Sequence, residues 1–290
     1  YKNKEYSYAV DFSHTGIPTT DKRVTYIDPI PASENNDNLV ATANCFMVEP
    51  GGSFCFDPFA FQQNGTEITN SQMTGWYGTA STGIKSVKLL WQTRENGDVG
   101  DPVMGIANSD DDHTNIVDIK RTIDNSDINT VPANDKGQCR IYCRVAANTT
   151  GGNGVIAAYD GPDGTGNIVW SWHVWVTRYD PDAELVAYGK IYTWDNNGDG
   201  VVDYTFMDRN LGALETDYTL PASRGLYYQW GRKDPFPYPA TATDAYIQAP
   251  TIYAAGFEYA ESDPRTSGTE SPYDVMTLEW ATAHPTTYMD

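Results

Sequence analysis

Strand-length runs of apolar residues, separated by turn-forming residues, recur along the first two thirds of the chain. Between residues 40 and 180 they read LVATANCFMV, SFCFDPFAF, GIKSVKLLWQT, NIVDIKRTI, CRIYCRVAA, NGVIAAYD and NIVWSWHVWVTRYD. Their spacing is near the roughly 8–12 residues that are typical of a β-sandwich. The run VIAAY is continuously apolar, as in a strand that is buried on both faces. No run before residue 180 shows the 3.6-residue period of an amphipathic helix.

The pattern changes near residue 180, where YDPDAELVAYG combines a proline with an acidic cluster. We therefore predict two domains, a β-sandwich with an extended N-terminal segment over residues 1–180 and a smaller, loop-rich α+β module over residues 181–290. In the second part, KIYTW and YTFM resemble strands. The plausible helix lies in SPYDVMTLEWATAHP, with Ser271 as its N-cap and Pro272 in its first turn. The predicted fold class is mainly β.

Composition supports this fold class and restricts the possible partners. Aromatic residues make up 13% of the 290 residues, and there are 25 glycines and 17 prolines, a mixture that favours strands and turns. The 39 acidic and 19 basic residues give a net charge of −20, which repels nucleic acid and anionic lipid and suits cation binding. No apolar run reaches the roughly 18–20 residues of a transmembrane segment, so we expect none in this chain.

Four cysteines raise the question of disulfides. Cys45 and Cys55 flank a Pro-Gly-Gly sequence that favours a hairpin turn, in which the two would lie nearly opposite each other and could form a disulfide. Cys139 and Cys143 would share one face of a strand about 13 Å apart, too far to bond to each other. Buried free thiols are the alternative for both pairs.

The sequence DNNGDGVVD, residues 195–203, suggests a calcium loop. Asp195, Asn197, Asp199 and Asp203 alternate with other residues, Gly200 follows at a sharp bend, and Val201 could offer its carbonyl oxygen. Phe206 stands where an EF-hand requires glutamate, so we expect a calcium-stabilised β-loop rather than an EF-hand. The alternative is a hairpin turn in which Asn and Asp side chains bond to their own backbone.

Candidates for catalysis are few. Ser171 and His173 would share one face of a strand with Trp175, while Trp170, Trp172 and Val174 line the other. The sequence supplies neither a nucleophile elbow nor an acid that orients the histidine, so packing is the favoured explanation. Carboxylate pairs for glycoside hydrolysis are formed only in space, and an extracellular hydrolase is therefore retained as the weakest of three hypotheses.

Several phrases together resemble a known family. TANCFMVEPGGSFCF, SVKLLWQT, GNGVIAAYDGPDGTGNIVWSWHVWVT, FMDRNLGA, GLYYQWGRKDPFP and AHPTTYMD occur in this order. They resemble the fimbrillin-like and fimbrial tip-type cell-surface proteins of Bacteroidetes. The C-terminal part resembles the Fibrobacter succinogenes major paralogous domain, which has a C-type-lectin-like shape. Relatives continue into a further Cys-Pro-containing segment, so we expect the second module to be incomplete here.

The resemblance implies a secreted, non-catalytic protein of the bacterial cell surface, associated with the outer membrane and active in adhesion. Its expected partners are a glycan or a host surface protein. Tyr227, Tyr228 and Trp230 could stack on a sugar ring, although their phrase recurs in the family as a scaffold element, which favours core packing. The alternative function is a filament subunit that joins neighbouring subunits by strand addition, with residues 1–40 as donor strand or as groove cover.

Overall fold

The computed structural model describes residues 45–51, 54–59, 62–63, 66–67, 83–105, 117–179, 191–229, 232–237, 251–254, 258–260 and 278–289. These residues form a mainly β protein, as the sequence predicts. The predicted extended segment over residues 1–40 lies outside the described residues.

The larger sheet has five strands. They are β1 (Cys45–Val48), β5 (Ser86–Arg94), β8 (Gly152–Tyr159), β9 (Ile168–Val176) and β14 (Thr251–Ala254). Their spatial order is β1-β9-β8-β5-β14. All neighbours are antiparallel except β1 and β9, which run parallel. The strand β14 lies some 70 residues beyond the predicted domain boundary, so the C-terminal part of the chain completes one edge of this sheet.

A second sheet of three strands lies opposite the first. It consists of β2 (Phe54–Phe56), β6 (Val117–Arg121) and β7 (Cys139–Cys143), in the order β2-β7-β6 and antiparallel throughout. A small hairpin, β3 (Gln62–Gln63) with β4 (Thr66–Glu67), follows β2 in the chain. All seven predicted runs between residues 40 and 180 therefore contain a strand.

Aromatic side chains join the two sheets across the sandwich core. The ring of Phe46 from β1 lies 4.4 Å from that of Phe56 in β2, centroid to centroid. The Phe56 ring in turn meets Trp172 of β9 edge-on at 5.1 Å. All three side chains are buried, and the core continues through Ile141 of β7. Such aromatic contacts stabilise the fold beyond the effect of the large apolar area that each ring buries.

The neighbouring strands β8 and β9 of the larger sheet are buried on both faces. In β9, Trp170, Trp172 and Val174 belong to the sandwich core, while Ser171 and His173 alternate with them and are also buried. This confirms the predicted division of the strand into two faces. In β8 every residue but the last is buried, as its continuous apolar pattern predicts. We call the side of the larger sheet that carries Ser171 and His173 its outer face.

The structure corrects the prediction of a disulfide between Cys45 and Cys55. The two cysteines lie on strands of different sheets, so residues 45–55 arch across the sandwich and do not form a hairpin. Their neighbours Phe46, Phe54 and Phe56 point into the core, and side chains alternate, so the cysteines point away from each other. Both are free thiols.

The prediction for the second cysteine pair is confirmed. Cys139 and Cys143 lie at the two ends of β7, share its core face with Ile141, and are free. Burial raises the pKa of the Cys139 thiol to about 11 and that of Cys143 well above its usual value, so both stay protonated at neutral pH. They behave as small apolar core residues.

The C-terminal part contributes short elements. Two antiparallel pairs are β10 (Ile191–Trp194) with β11 (Tyr204–Met207), and β12 (Tyr227–Tyr228) with β13 (Pro235–Phe236). A parallel pair joins β15 (Glu258–Ala260) to β16 (Thr287–Met289). The predicted helix is present as α1 (Leu278–Ala283), and its predicted cap lies outside the described residues. None of the described helices is long and apolar enough to cross a membrane.

Truncation of Phe56 tests the core. We expect Phe56→Ala to lower the free energy of unfolding by about 3–5 kcal/mol, because it removes the ring that contacts both Phe46 and Trp172 and leaves a cavity. Val99→Ala is the control, since Val99 is fully exposed, and it should change stability by less than about 0.5 kcal/mol. Urea denaturation measures both. Equal effects of the two substitutions would contradict this packing.

Candidate functional site

A buried ion pair attaches the C-terminal part to the outer face of the larger sheet. Lys233 donates from Nζ to Asp234 Oδ1 at 2.7 Å and to the backbone oxygen of Ser171 at 2.9 Å. The hydroxyl of Ser171 donates to the same carboxylate oxygen at 2.5 Å, and Lys233 Nζ also contacts that hydroxyl. The side chains of Lys233 and Asp234 are 8% and 3% exposed. Strand β9 thus holds a charged dipeptide that lies 62 residues further along the chain.

A second polar contact lies beside the first. His173 Nε2 lies 2.9 Å from Asn153 Oδ1, and the amide of Asn153 donates to the backbone oxygen of Gly212 at 2.9 Å. Gly212 has a φ of +82°, and a side chain there would meet Leu226, so glycine allows this close approach. Burial lowers the pKa of His173 to about 3, which keeps the ring neutral at physiological pH.

The geometry does not assemble Ser171 and His173 into a nucleophile and base. Ser171 bonds to Asp234 and Lys233, whereas His173 bonds to Asn153. In some hydrolases a lysine in contact with a serine activates that serine as a nucleophile. Here the serine hydroxyl is fully buried and donates a hydrogen bond to the Asp234 carboxylate, which also accepts one from Lys233. The polar groups on the outer face therefore serve packing, as the sequence favours.

Two arginines extend this attachment. Arg209 forms a buried pair with Asp208 at 2.8 Å, and its guanidinium lies 4.2 Å from the ring centre of Tyr179. Arg232 donates to the backbone oxygens of Thr287 and His284 at 2.6 and 2.5 Å. Residues 208–236 are thereby connected both to the sandwich and to the C-terminal end of the described chain.

The acidic turn between β10 and β11 is a hairpin loop whose flanks are strands, as predicted. Asp195 accepts hydrogen bonds from the backbone N–H groups of Asn197, Gly198 and Gly200 at 3.2, 2.6 and 2.7 Å. These bonds, that from Gly200 above all, lower the pKa of its carboxyl. Asp203 accepts from the N–H of Asn196 at 2.8 Å.

The remaining candidate ligands follow the same pattern. Asp199 accepts from the N–H of Val201 at 2.7 Å, and Asn197 accepts from the N–H of Asp199 at 3.1 Å. Nowhere in the described part of the chain do three His, Cys, Asp or Glu side chains converge as a metal site. The geometry thus fits the alternative of an Asx-rich turn, and the calcium site stays a prediction.

The predicted sugar-stacking residues fall in different environments. Tyr227 and Tyr228 form β12 and are 49% and 40% exposed. Trp230 lies outside the described residues. Further along the same phrase, Asp234 and Phe236 are buried, so that part of the phrase packs as the sequence favours. The phrase therefore divides into an exposed aromatic start and a buried end.

Exposed apolar side chains concentrate in one part of the chain. Nine of the eleven large hydrophobic residues that are exposed among the described ones lie between residues 194 and 228. They are Trp194, Val201, Val202, Phe206, Leu211, Tyr218, Leu220, Tyr227 and Tyr228. We call this set the exposed apolar segment. All nine lie within 35 consecutive residues that the structure describes, unlike the scattered single exposures of an ordinary surface.

Three members of this set, Val201, Tyr227 and Tyr228, are among the candidate residues predicted from the sequence. Trp194, Phe206 and Tyr218 were not predicted to be exposed; the sequence identifies the runs that contain Trp194 and Phe206 only as strands. The available signal was the alternation Tyr-Thr-Trp and Tyr-Thr-Phe on both sides of the turn, which places aromatic residues on one face of an isolated hairpin.

Comparisons with protein-family models, with curated proteins and with solved structures find no match for this chain. The resemblance to fimbrillin-like and fimbrial tip-type proteins therefore stays a prediction from the quoted phrases.

Substitution of Lys233 tests the attachment. Lys233→Met leaves Asp234 buried without its partner, and we expect a loss of about 3–5 kcal/mol in the free energy of unfolding. The double variant Lys233→Met/Asp234→Asn should recover at least about 1 kcal/mol of that loss, because no charge is then buried alone. Urea denaturation measures both variants. A double variant less stable than either single one would contradict the pairing.

The buried His173 makes stability depend on pH. Its folded pKa of about 3 lies below its ordinary value of 6.5, so the unfolded chain binds the proton more tightly. The contribution of neutral His173 to the free energy of unfolding is therefore complete above pH 6.5 and falls as the pH decreases toward 3. Between pH 7 and pH 5 we expect a loss of roughly 2 kcal/mol, from about 1.4 kcal/mol per pH unit.

The control for this prediction is His173→Gln. Burial, and after it the charge of Asp98, raises the pKa of Glu95 to about 7, which has the opposite effect on stability in the same pH range. Because Glu95 is present in both proteins, its contribution cancels in the difference. Denaturation at pH 7 and pH 5 should show the loss in the wild type relative to His173→Gln. An equal pH response in both proteins would show that the pKa of His173 does not differ between the folded and the unfolded chain.

Proposed function

We propose that this chain is a non-catalytic adhesion protein of the bacterial cell surface that contacts its partner through the exposed apolar segment. The observation that carries the proposal is the concentration of nine exposed large hydrophobic side chains between residues 194 and 228. Exposed apolar clusters on soluble domains typically mark surfaces that bind other molecules. The phrases that resemble fimbrial tip-type proteins support the same function and imply secretion.

The position of the segment supports this role. It is attached to a rigid sandwich through buried groups, among them the Asn153–Gly212 bond and the contact of Arg209 with Tyr179. A binding surface held by a rigid scaffold loses little conformational entropy when a partner binds. The proposed partner is a glycan or a host surface protein.

A non-catalytic role is supported by the hydrogen bonds on the outer face. Ser171 and His173, the strongest catalytic candidates of the sequence, each bond to a different partner and are buried. In this proposal calcium would act only on the hairpin turn, as a stiffening ion held by the ligands predicted between residues 195 and 203.

The second candidate is a filament subunit. In the described residues the smaller sheet ends on β2 and β6, and an edge strand can accept a strand from a neighbouring subunit. Strand β6 carries Asp118, Lys120 and Arg121, and charges of this kind protect an edge against pairing. Strand β2, which has no charged residue, is the better acceptor.

A cell-binding assay separates the two candidates. Beads coated with the full chain should bind a layer of cultured epithelial cells, and the double variant Trp194→Ala/Tyr218→Ala should bind at least about tenfold less, because aromatic side chains dominate binding energy. The control variant Val99→Ala/Ile123→Ala removes two exposed residues outside the segment and should bind normally.

The outcomes are distinct. If Trp194→Ala/Tyr218→Ala binds the cells as well as the control variant does, adhesion through the segment is contradicted. Size-exclusion chromatography of the same preparations should show a monomer. Concentration-dependent polymers that disappear when a charge is introduced into β2 (Cys55→Lys) would instead favour the filament subunit. Release of reducing sugar from a polysaccharide panel would contradict the non-catalytic assignment.

A further inference from the structure

One ring nitrogen of the buried His173 has no hydrogen-bond partner. Its Nε2 lies 2.9 Å from Asn153 Oδ1, and since the amide nitrogen of Asn153 donates to Gly212, that oxygen accepts and Nε2 carries the proton. Nδ1 is therefore an unprotonated acceptor in the neutral ring, and it is buried without a partner. Buried polar atoms of this kind are rare in native proteins. Packing thus accounts for Nε2 of His173 but leaves Nδ1 unexplained.

This nitrogen faces strand β1. Strand β9 lies between β8 and β1, and the bond from Nε2 directs one side of the ring toward Asn153 in β8. The two nitrogens of an imidazole point in nearly opposite directions, so Nδ1 is directed toward β1. In the register of these two strands, Cys45 is the partner of His173, and Met47 is the partner of Trp175.

The side chains of Cys45 and Met47 lie on the same face as His173. The alternate residues of β1, Phe46 and Val48, belong to the sandwich core, so Cys45 and Met47 project from the outer face. Neighbouring strands lie about 4.7–4.9 Å apart. Metal–sulfur and metal–nitrogen bonds in zinc sites are about 2.3 and 2.0 Å, so an ion bonded to both atoms spans about 4.3 Å. The spacing of the two strands therefore suits one metal ion between the thiol and Nδ1.

The contact of His173 with Asn153 has the form that orients metal-ligating histidines. Such histidines almost always donate their other ring N–H to an oxygen, which fixes the tautomer and the ring orientation. Asn153 is itself held by the backbone oxygen of Gly212, at 2.9 Å. The imidazole is thus fixed in the orientation that presents Nδ1 to β1.

The available donors select a soft metal ion. Thiolate and thioether sulfur, together with imidazole, favour Cu(I), whereas calcium and magnesium prefer oxygen ligands. A set of one cysteine, one histidine and one methionine is compatible with the finding that no three His, Cys, Asp or Glu side chains converge among the residues that the structure describes. Cys45 and Met47 are partly exposed, which gives an ion a path to the buried ring.

The surroundings of Cys45 favour metal binding over nucleophilic chemistry. Burial raises the pKa of its thiol to about 12, and Nδ1 of His173 accepts no hydrogen bond from it, so no base activates the sulfur. A metal ion does not need such a base. Coordination to a cation stabilises the thiolate directly and displaces the proton.

We propose that Cys45, Met47 and His173 form a binding site for Cu(I) on the outer face of the larger sheet. The thiol releases its proton to solvent as the sulfur binds the ion, Nδ1 donates its lone pair, and the thioether of Met47 completes a three-coordinate site. Copper stays monovalent throughout, so no oxidant or reductant takes part. This inference goes beyond the proposed adhesion and does not depend on it, because the exposed apolar segment supplies none of the ligands.

Competition with the chelator bicinchoninate measures Cu(I) binding to the full chain, under nitrogen and with ascorbate to keep the copper reduced. Cys45→Ser should raise the Kd at least about a hundredfold, because it removes the thiolate. Met47→Leu keeps the apolar volume but removes the thioether, and should raise the Kd about three- to tenfold. Ca²⁺ should not compete with Cu(I).

Matched controls are available for both substitutions. Cys55→Ser and Met207→Leu change partly exposed side chains on other strands and should leave the Kd unchanged. Urea denaturation of the copper-free proteins verifies that each variant is folded. Equal weakening by Cys45→Ser and Cys55→Ser would show that the thiols bind copper without a defined site, and would overturn the inference.

Long-range ¹H–¹⁵N correlation spectra of the imidazoles test the histidine ligand directly. In the copper-free protein His173 should show the tautomer that is protonated at Nε2. One equivalent of Ag(I), a redox-inert analogue of Cu(I), should shift the Nδ1 resonance of His173. The exposed His284, whose Nδ1 lies 2.8 Å from the backbone oxygen of Trp280, is the internal control and should not shift.

A buried water is the alternative occupant. The indole Nε1 of Trp175 is also buried without a partner, and a water could accept from it and donate to His173. In that case Ag(I) would leave the Nδ1 resonance unchanged and Cys45→Ser would not alter the Kd for Cu(I), which would overturn the inference. Neither result would affect the proposed adhesion, which the cell-binding assay tests separately.

Discussion

In strand β9, side chains alternate between two faces of the sheet, and both faces are buried. One face gives Trp170, Trp172 and Val174 to the sandwich core. The other gives Ser171, which bonds to Asp234 of the C-terminal part, and His173, which bonds to Asn153 of the neighbouring strand β8. A strand with only one buried face would leave Lys233 and Asp234 without their partners in β9. The attachment of the C-terminal part, and with it the surface proposed for binding, therefore uses this double burial.

The cost of burying polar groups explains why the attachment is specific. The charges of Lys233 and Asp234 are removed from water, and such burial is tolerated only when partners with good geometry are present. The serine hydroxyl and backbone oxygen of β9 supply those partners. An alternative docking of the same segment would bury this pair without the serine hydroxyl and the backbone oxygen. The buried pair thus favours one arrangement of the C-terminal part, even where its net contribution to stability is small.

Local patterns in the sequence predict the strands well and their partners poorly. The seven runs between residues 40 and 180 all contain strands, because alternation and apolar runs are properties of neighbouring residues. The arch over residues 45–55 was predicted as a hairpin, since Pro50 and Gly51 suit a turn within one sheet and a crossing between two sheets equally well. The contact of Ser171 with Asp234 joins residues 63 positions apart, and no local pattern encodes it. The same holds for the exposure of Trp194, which depends on what the rest of the chain leaves uncovered.

Exposure of the hairpin in the isolated protein is the central claim, and hydroxyl-radical footprinting with mass spectrometry tests it most directly. The account predicts rapid oxidation of Trp194 and Phe206, which are more than half exposed, and slow oxidation of Trp91 and Trp175, which are buried. Modification of Trp194 as slow as that of Trp175 would show that another part of the chain covers the hairpin. That result would contradict the proposed binding surface.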